Sequence, residues 1–321
     1  MLNSGFKGFP WQHFMDFISP RAGRFELLKK LLDESVLDYK ILEIAGNRHF
    51  FIAPPPEIHS GPLKGAGSLT GAGSLNGTGS RFREAYFPPP PAMLVAHYDR
   101  AEGSPGANDN SAGVFLLLET AVKLWKGGVK NWIIIFTDKE ELKSGESIRS
   151  QGSYTLGMRL KSLKIDNPRI FNFDACGSGD TLVISITLEY LLKRDGGNEK
   201  LRDLVTELRK AALDTARNLG LAKVLLIPTP FSDDAGFFSA GLAAQTITML
   251  PASECTLLVS ELRKNHGFAE TLISAELRKN SSFTSIPETW RCFNSPSDSH
   301  LRLTPENFPA LVGFAEALCR G

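Results

Sequence analysis

Cysteine is scarce in this sequence and never occurs in closely spaced pairs. The four cysteines among the 321 residues stand far apart, and no CxxC motif is present. Small domains held together by disulfides use cysteine more densely, and thiolate zinc sites need neighbouring pairs. We therefore expect reduced, mostly buried thiols and a cytoplasmic location.

Long hydrophobic runs and an excess of either charge are missing as well. No segment approaches the roughly 18 uninterrupted apolar residues that a membrane span requires, and residues 1–24 lack the charged-then-apolar layout of a secretory signal. With 36 basic and 35 acidic residues the net charge is only +1, so bulk electrostatics indicate neither nucleic acid nor a membrane as partner. The 42% hydrophobic and 22% charged residues are typical of a globular protein.

Segments with helical and strand periodicity alternate along the chain. The pattern predicts helices at 11–35 (with a break at Ser19-Pro20), 114–125, 153–162, 199–219 and 305–319, a hairpin at 39–52, and strands at 93–96, 131–136, 169–173, 181–187 and 246–250. This alternation, with no plausible linker, predicts one α/β domain over residues 1–321. The Gly/Ser-rich stretch at 61–80 cannot bury a core, and we expect it to be a flexible surface insertion.

Residues 93–113 carry the first candidate functional side chains. An apolar run at 93–96 predicts a buried strand, and His97 and Asp99 follow at its end. A loop rich in glycine and proline then leads to Asp109 at the start of the next predicted helix. Strand ends and helix starts are where open α/β sheets hold their ligands, so we expect this stretch to form half of a metal site.

Carboxylates follow two further predicted strands. Glu140 and Glu141 come after the strand at 131–136, and Asp174 follows the strand at 169–173. If the three strands are neighbours, five carboxylates and one imidazole converge, and desolvation and mutual repulsion forbid such a cluster without a cation. A mixture of imidazole and carboxylate ligands favours zinc.

These motifs resemble those of the zinc-dependent aminopeptidase and glutaminyl cyclase superfamily. The matching pieces, in the family's order from about residue 90 to the end, are HYD at 97–99, GANDNSAG at 106–113, the pair Glu140-Glu141, Asp174, SDDAGF at 232–237 and NSPSDS at 294–299. The resemblance implies a three-layer α-β-α fold around a central mixed, mostly parallel sheet. It also implies that His97 and Asp174 bind one zinc, that Asp109 bridges to a second, and that Glu141 binds the second.

The resemblance assigns chemical roles to three further residues. Glu140 would be the general base that takes a proton from the attacking water and passes it to the leaving amine. Asp99 would hydrogen-bond His97 and fix its tautomer. Asp233, in the SDDAGF motif, would contact the substrate, which would be a peptide or a small molecule with an N-terminal amine.

The last motif departs from the family pattern. Relatives read His-Thr-Pro-x-Asp-Thr there, with the histidine as the final ligand of the second zinc, whereas Asn294 begins the corresponding segment here. A neutral amide oxygen is a poor zinc ligand, and the frame of the motif argues against His300 or His266 as a substitute. Asp234, where relatives often have histidine, is a milder departure. We expect one zinc, with the second site empty or occupied by a harder ion such as magnesium or calcium.

Three functions stay open at this point. The first is a zinc-dependent hydrolase of the aminopeptidase type, which removes N-terminal residues from peptides. The second is a glutaminyl-peptide cyclotransferase, which the HYD triplet and the long loop after Glu141 favour, although such enzymes use the zinc position that Asn294 weakens. The third is a catalytically impaired relative that keeps the fold without enzymatic activity.

Overall fold

A computed structural model of the chain describes residues 10–54, 90–165, 167–194 and 198–320. The insertion predicted at 61–80 lies outside the described residues. The strands of the described part are β1 (Tyr39–Ile44), β2 (Asn47–Ile52), β3 (Ala92–His97), β4 (Trp132–Thr137), β5 (Arg169–Phe173), β6 (Thr181–Ser185), β7 (Val224–Ile227) and β8 (Ala244–Leu250).

The eight strands form one mixed sheet. Their order across the sheet is β1-β2-β4-β3-β5-β8-β6-β7. The pairings β4–β3, β3–β5, β5–β8 and β6–β7 are parallel, and the other three are antiparallel. The mixed, mostly parallel sheet that the resemblance implies is therefore confirmed.

Helices connect the strands and surround the sheet. They are α1 (Trp11–Ile18), α2 (Arg24–Asp33), α3 (Gly113–Lys126), α4 (Gly152–Ser162), α5 (Thr187–Arg194), α6 (Glu199–Asn218), α7 (Asp233–Ser239), α8 (Ala252–Lys264), α9 (Phe268–Ile273), α10 (Ala275–Lys279), α11 (Glu288–Arg291) and α12 (Phe308–Leu318). The break between α1 and α2 lies at the predicted Ser19-Pro20, and the hairpin β1–β2 has the predicted position.

The central strand β3 shows why the fold has three layers. Leu94 and Ala96 pack in an apolar cluster with α1, α2, α3, α6 and α12, whereas Met93 and Val95 pack in a second cluster with α4 and α7. Because successive residues of a strand point to opposite faces, helices cover both faces of the sheet. This explains why β3 is buried along its whole length and confirms the predicted α-β-α arrangement.

The structure differs from the sequence pattern around residues 181–187. The strand β6 ends at Ser185, and Thr187 begins α5, a helix that the pattern did not indicate. The Thr187 hydroxyl donates to the carbonyl oxygen of Thr229 and accepts its N–H, both at 2.8 Å. These bonds end the strand through a partner 42 residues away, which no local pattern reveals.

Two composition-based expectations concern burial and membranes. All four cysteines are free and buried, as the composition predicts. None of the described helices is long and apolar enough to cross a membrane. The cytoplasmic location stays a prediction.

Candidate metal centre

The ends of β3, β4 and β5 lie side by side at one edge of the sheet. The three strands are parallel neighbours, with His97 in register with Thr137 on one side and Leu94 with Phe171 on the other. Parallel neighbours end at the same edge, where α/β sheets hold their ligands. The topology therefore brings His97, the loop at 138–141 and Asp174 to one place.

Three side chains converge closely at this edge. His97 Nε2 lies 3.1 Å from Asp109 Oδ1 and 3.6 Å from Asp174 Oδ1. One ligand atom from each of the three residues lies within 4.8 Å of the others, and all three residues are buried. One imidazole nitrogen and two carboxylate oxygens make up the ligand set of a zinc site that keeps a further position open.

Asp109 lies in a buried, irregular segment, Ala107–Ala112, that leads from the loop after β3 into α3. Its backbone departs from helical geometry, and its peptide bond to Asn110 is cis. The Asp298 carboxylate accepts the backbone N–H groups of Asp109 and of the preceding residue, at 3.0 and 2.9 Å. Asn110 donates to the carbonyl oxygen of Phe173 at 2.8 Å, so the segment is also tied to the end of β5.

The buried Arg24 holds the loop that joins His97 to Asp109. Its guanidinium donates to the carbonyl oxygens of residues 98, 99, 105 and 106 and to the Ser111 hydroxyl, at 2.7–3.2 Å. Burial lowers the pKa of Arg24 to about 9, so the side chain stays charged at neutral pH. Nothing in the sequence near α2 marks Arg24 as part of a site 75 residues away.

Asp99 connects the imidazole to the loop after β4. Its Oδ1 lies 3.3 Å from His97 Nδ1, and its carboxylate accepts the backbone N–H groups of Glu140 and Glu141 at 3.1 and 3.0 Å. Burial opposes ionisation of Asp99, but the imidazole and the two N–H groups outweigh it and lower the pKa of the carboxyl group. An ionised Asp99 orients the ring so that Nε2 faces Asp109 and Asp174.

Glu140 borders the three-ligand group and is held by Gln151. The Gln151 amide donates to the Glu140 carboxylate and to its backbone carbonyl oxygen, both at 3.1 Å. Burial, and then the neighbouring carboxylates, raise the pKa of Glu140 well above its ordinary value, although His97 opposes them. Gln151 is likewise not recognisable from the sequence, since a glutamine in a polar loop carries no motif.

The electrostatics of the centre call for a cation. Burial and the nearby Asp109 raise the pKa of Glu141 to about 9, and burial and Asp174 raise that of Asp109. His97 Nε2, Asp174 Oδ1 and Glu141 Oε1 are buried without a hydrogen-bond partner. Atoms of this kind are the ones that a metal ion would satisfy, so the residues fit a divalent cation such as zinc.

The two candidate ligands of a second ion are placed differently. Glu141 is half-buried beside the centre, with its Oε1 enclosed, but is not part of the close three-residue group. Asn294 is exposed, with a left-handed φ of 57°, and lines a cavity together with Arg278 and Trp290. The NSPSDS segment contacts the centre through Asp298 rather than through Asn294. Burial raises the pKa of Asp298 to about 7.

Asp233 and Asp234 lie at the start of α7 and are fully enclosed. Asp233 accepts a hydrogen bond of 2.5 Å from the Thr137 hydroxyl, and Asp234 accepts the backbone N–H of Ser232 at 3.0 Å. Burial raises the pKa of both carboxyl groups to about 6. These contacts tie α7 to the end of β4, and substrate contact by Asp233 stays a prediction.

Comparison with known families bears on the same region. A sequence profile of peptidase family M28 matches residues 83–309. The chain belongs to peptidase family M28. The match includes each residue of the centre named above except Arg24. No curated protein matches the sequence significantly.

Solved structures share the fold at low sequence identity. The zinc aminopeptidase BSAP from Bacillus subtilis aligns with 84% of this chain and 48% of its own (TM-score 0.50, 18% identity). The LapA aminopeptidase of Legionella pneumophila aligns with 97% of this chain and 69% of its own (TM-score 0.56, 12% identity). A glutaminyl cyclase from an Acidobacteriales bacterium aligns with 97% of this chain and 90% of its own (TM-score 0.54, 12% identity). The chain spans about half the length of the B. subtilis aminopeptidase, and the likeness concerns the fold.

Proposed function

We propose that the chain is a zinc-dependent aminopeptidase, which removes the N-terminal residue from peptides. The observation that carries this proposal is that Glu140, a half-buried carboxylate held by Gln151, borders the group of His97, Asp109 and Asp174. Hydrolysis of a peptide bond assisted by a metal needs this pairing of an open-sided ligand set and a carboxylate that moves protons. Membership of a peptidase family agrees with a peptide substrate.

In this proposal His97, Asp109 and Asp174 hold the zinc. A bound zinc supplies a Lewis acid for the peptide carbonyl and lowers the pKa of water to about 7. Glu140 accepts a proton from the attacking water and delivers it to the leaving amine, and Gln151 holds the Glu140 carboxylate in place for this transfer. Asp99 keeps the His97 ring in the orientation that exposes Nε2.

We further propose one zinc per chain, with the second position empty or occupied by magnesium or calcium. The exposed Asn294 and the absence of Glu141 from the three-residue group of the described chain support this. Metal analysis of the purified protein tests it, and two tightly held zinc ions per chain would contradict it. If activity needs a second ion, Asn294→His should raise both the zinc content and the peptidase activity.

The aminopeptidase proposal is tested with aminoacyl-nitroanilides on protein supplied with zinc. Glu140→Gln should lower kcat by at least about 100-fold, the usual contribution of a general base, while the zinc content stays unchanged. Asp174→Asn should lose the zinc itself. Glu207 is an exposed carboxylate on α6, so Glu207→Gln is the matched control and should behave as wild type. Equal activity of Glu140→Gln and wild type would refute the role of Glu140.

A glutaminyl-peptide cyclotransferase is the second candidate function. The observation in its favour is that the described residues contain one close ligand group, and cyclisation needs a single zinc to polarise the γ-carbonyl of glutamine. Glutaminyl peptides should be assayed beside the nitroanilides. Turnover of glutaminyl peptides alone would replace the first proposal, and zinc-bound, folded protein inactive on both would indicate a non-catalytic relative.

A further inference from the structure

A cavity of about 690 Å³ is lined in part by the segments that carry Gln151 and Asp233. Ile148, three residues before Gln151, forms part of its wall, and Phe231 and Phe238 flank it from the segment that carries Asp233. Ile273, at the end of α9, contributes from the other side. These apolar walls suit an apolar side chain of a peptide.

Arg278 lines this cavity and also a second one of about 470 Å³. The wall of the second cavity contains Asn294, which occupies the place of the family's last zinc ligand. Arg278 therefore stands at the junction of the two cavities. Burial lowers the pKa of Arg278 to about 10, and the Asp109 carboxylate opposes this lowering, so the guanidinium is charged at neutral pH and within electrostatic reach of the centre.

The Arg278 guanidinium has donors to spare. Within the described part of the chain it makes one hydrogen bond, from Nη1 to the Leu272 carbonyl oxygen at 2.6 Å, and no carboxylate lies within ion-pair distance. A guanidinium carries five N–H donors in a planar fork that matches a carboxylate. A half-buried cation without a counter-ion is costly unless an anion joins it.

The other arginines of the two cavities already have partners. Arg194 forms an ion pair with Glu270 at 3.5 Å. Arg291 donates to the backbone carbonyl oxygens of Ile286 and Phe283. Arg278 is thus the arginine of these walls that is best placed to accept an anionic group from a ligand.

We propose that Arg278 binds a carboxylate of the substrate while the apolar cavity holds a neighbouring side chain. This rests on the proposed peptidase function and deepens it by naming a substrate class: short peptides with a carboxylate close to the scissile bond. That carboxylate is either the C-terminus of a dipeptide or the side chain of an acidic residue. Both present the same planar anion to the guanidinium fork.

Two pairs of probes test the proposal and separate the two sources. The first pair is Leu-Leu and Leu-Leu-amide, and the second is the p-nitroanilides of glutamate and glutamine. Each probe is measured on zinc-supplied wild type, on Arg278→Met and on Arg263→Met. Arg263 is an exposed arginine on α8, so its replacement is a control that removes the same charge away from the two cavities. We expect wild type to favour the carboxylate member of one pair by about tenfold or more in kcat/KM, as a charge-assisted hydrogen bond allows.

The selectivity should fall to about one in Arg278→Met and persist in Arg263→Met. The pair that discriminates identifies the source of the carboxylate. No discrimination by wild type in either pair, or the same discrimination in Arg278→Met, would overturn the proposal. Arg278→Gln, which retains a donor for the Leu272 carbonyl oxygen, replaces the methionine variant if that variant does not fold.

Binding measurements keep this test separate from the test of catalysis. Calorimetry on a Glu140→Gln background gives dissociation constants for the same probes without turnover. If no probe is hydrolysed but the carboxylate members bind more tightly in an Arg278-dependent way, the peptidase proposal fails and the carboxylate site stands. If the probes are hydrolysed but replacing Arg278 changes neither binding nor turnover, the peptidase proposal stands and the carboxylate site fails.

Discussion

Replacing Arg24 by methionine should both destabilise the fold and weaken the metal centre. The guanidinium is buried and makes four hydrogen bonds to the loop between His97 and Asp109 and a fifth to the Ser111 hydroxyl. Methionine has a similar length and keeps an apolar contact with Phe17, over whose ring the guanidinium lies at 4.9 Å, but it offers no donor. The variant therefore removes the hydrogen bonds while leaving most of the volume filled.

The magnitude follows from the groups that lose their donor. In the described structure, the carbonyl oxygens of Tyr98, Asp99 and Pro105 have Arg24 as their hydrogen-bond donor, whereas that of Gly106 also accepts from Ser111. An unsatisfied buried acceptor costs at least about 1 kcal/mol. The Tyr98 acceptor is buried and those of Asp99 and Pro105 are partly buried, so Arg24→Met should lower the free energy of unfolding by about 2 kcal/mol or more.

Urea unfolding of the metal-free and the zinc-supplied protein measures this effect. The loss should be larger with zinc, because a looser loop also weakens binding of the ion to the folded state. Arg100→Met is the control, since that more exposed arginine donates to the carbonyl oxygens of residues 18 and 20 and should cost less than about 1 kcal/mol. A loss below about 1 kcal/mol for Arg24→Met, or equal losses in both variants, would refute the reasoning.

Three further changes test the surroundings of the centre. Gln151→Leu removes the donor that favours ionised Glu140, so the acidic limb of the pH–rate profile should move to higher pH, and an unchanged limb would contradict this. Burial lowers the pKa of His49 to about 4, so the folded protein favours the neutral imidazole. The stability that neutral His49 contributes is present above about pH 6.5 and is lost as the pH falls toward 4, because the unfolded chain takes up the proton first. Urea unfolding at pH 7.5 and 5.0 should show a loss about 2 kcal/mol greater in wild type than in His49→Asn, and equal losses would reject this origin. Gly236→Ala would bring a methyl group within 2.1 Å of the Ser153 hydroxyl and 2.7 Å of the Tyr154 backbone nitrogen. A lower melting temperature is expected, whereas an unchanged one would show that the start of α4 can move aside.

Local patterns were sufficient for the elements that carry the ligands. The apolar runs before His97, Glu140 and Asp174 predicted three buried strands, and β3, β4 and β5 confirm them. A run of β-branched and aromatic residues is stable only when both faces are covered, which already predicts helices on each side of the sheet. The polar residues at the strand ends stand out against these runs, and so the candidate ligands could be named without coordinates.

What the sequence by itself determined was therefore the type of most main elements, though not of α5 or β7, together with the α/β class and the residues that end the central strands. Only the tertiary structure decided which residues surround them. The periodicity of a strand does not specify its neighbours, and the carboxylate of Asp298 meets the Asp109 backbone across 189 positions. Arg24 likewise meets the carbonyl oxygens of residues 98 and 99 from 74 and 75 positions away, because chain topology rather than local pattern brings it to the centre.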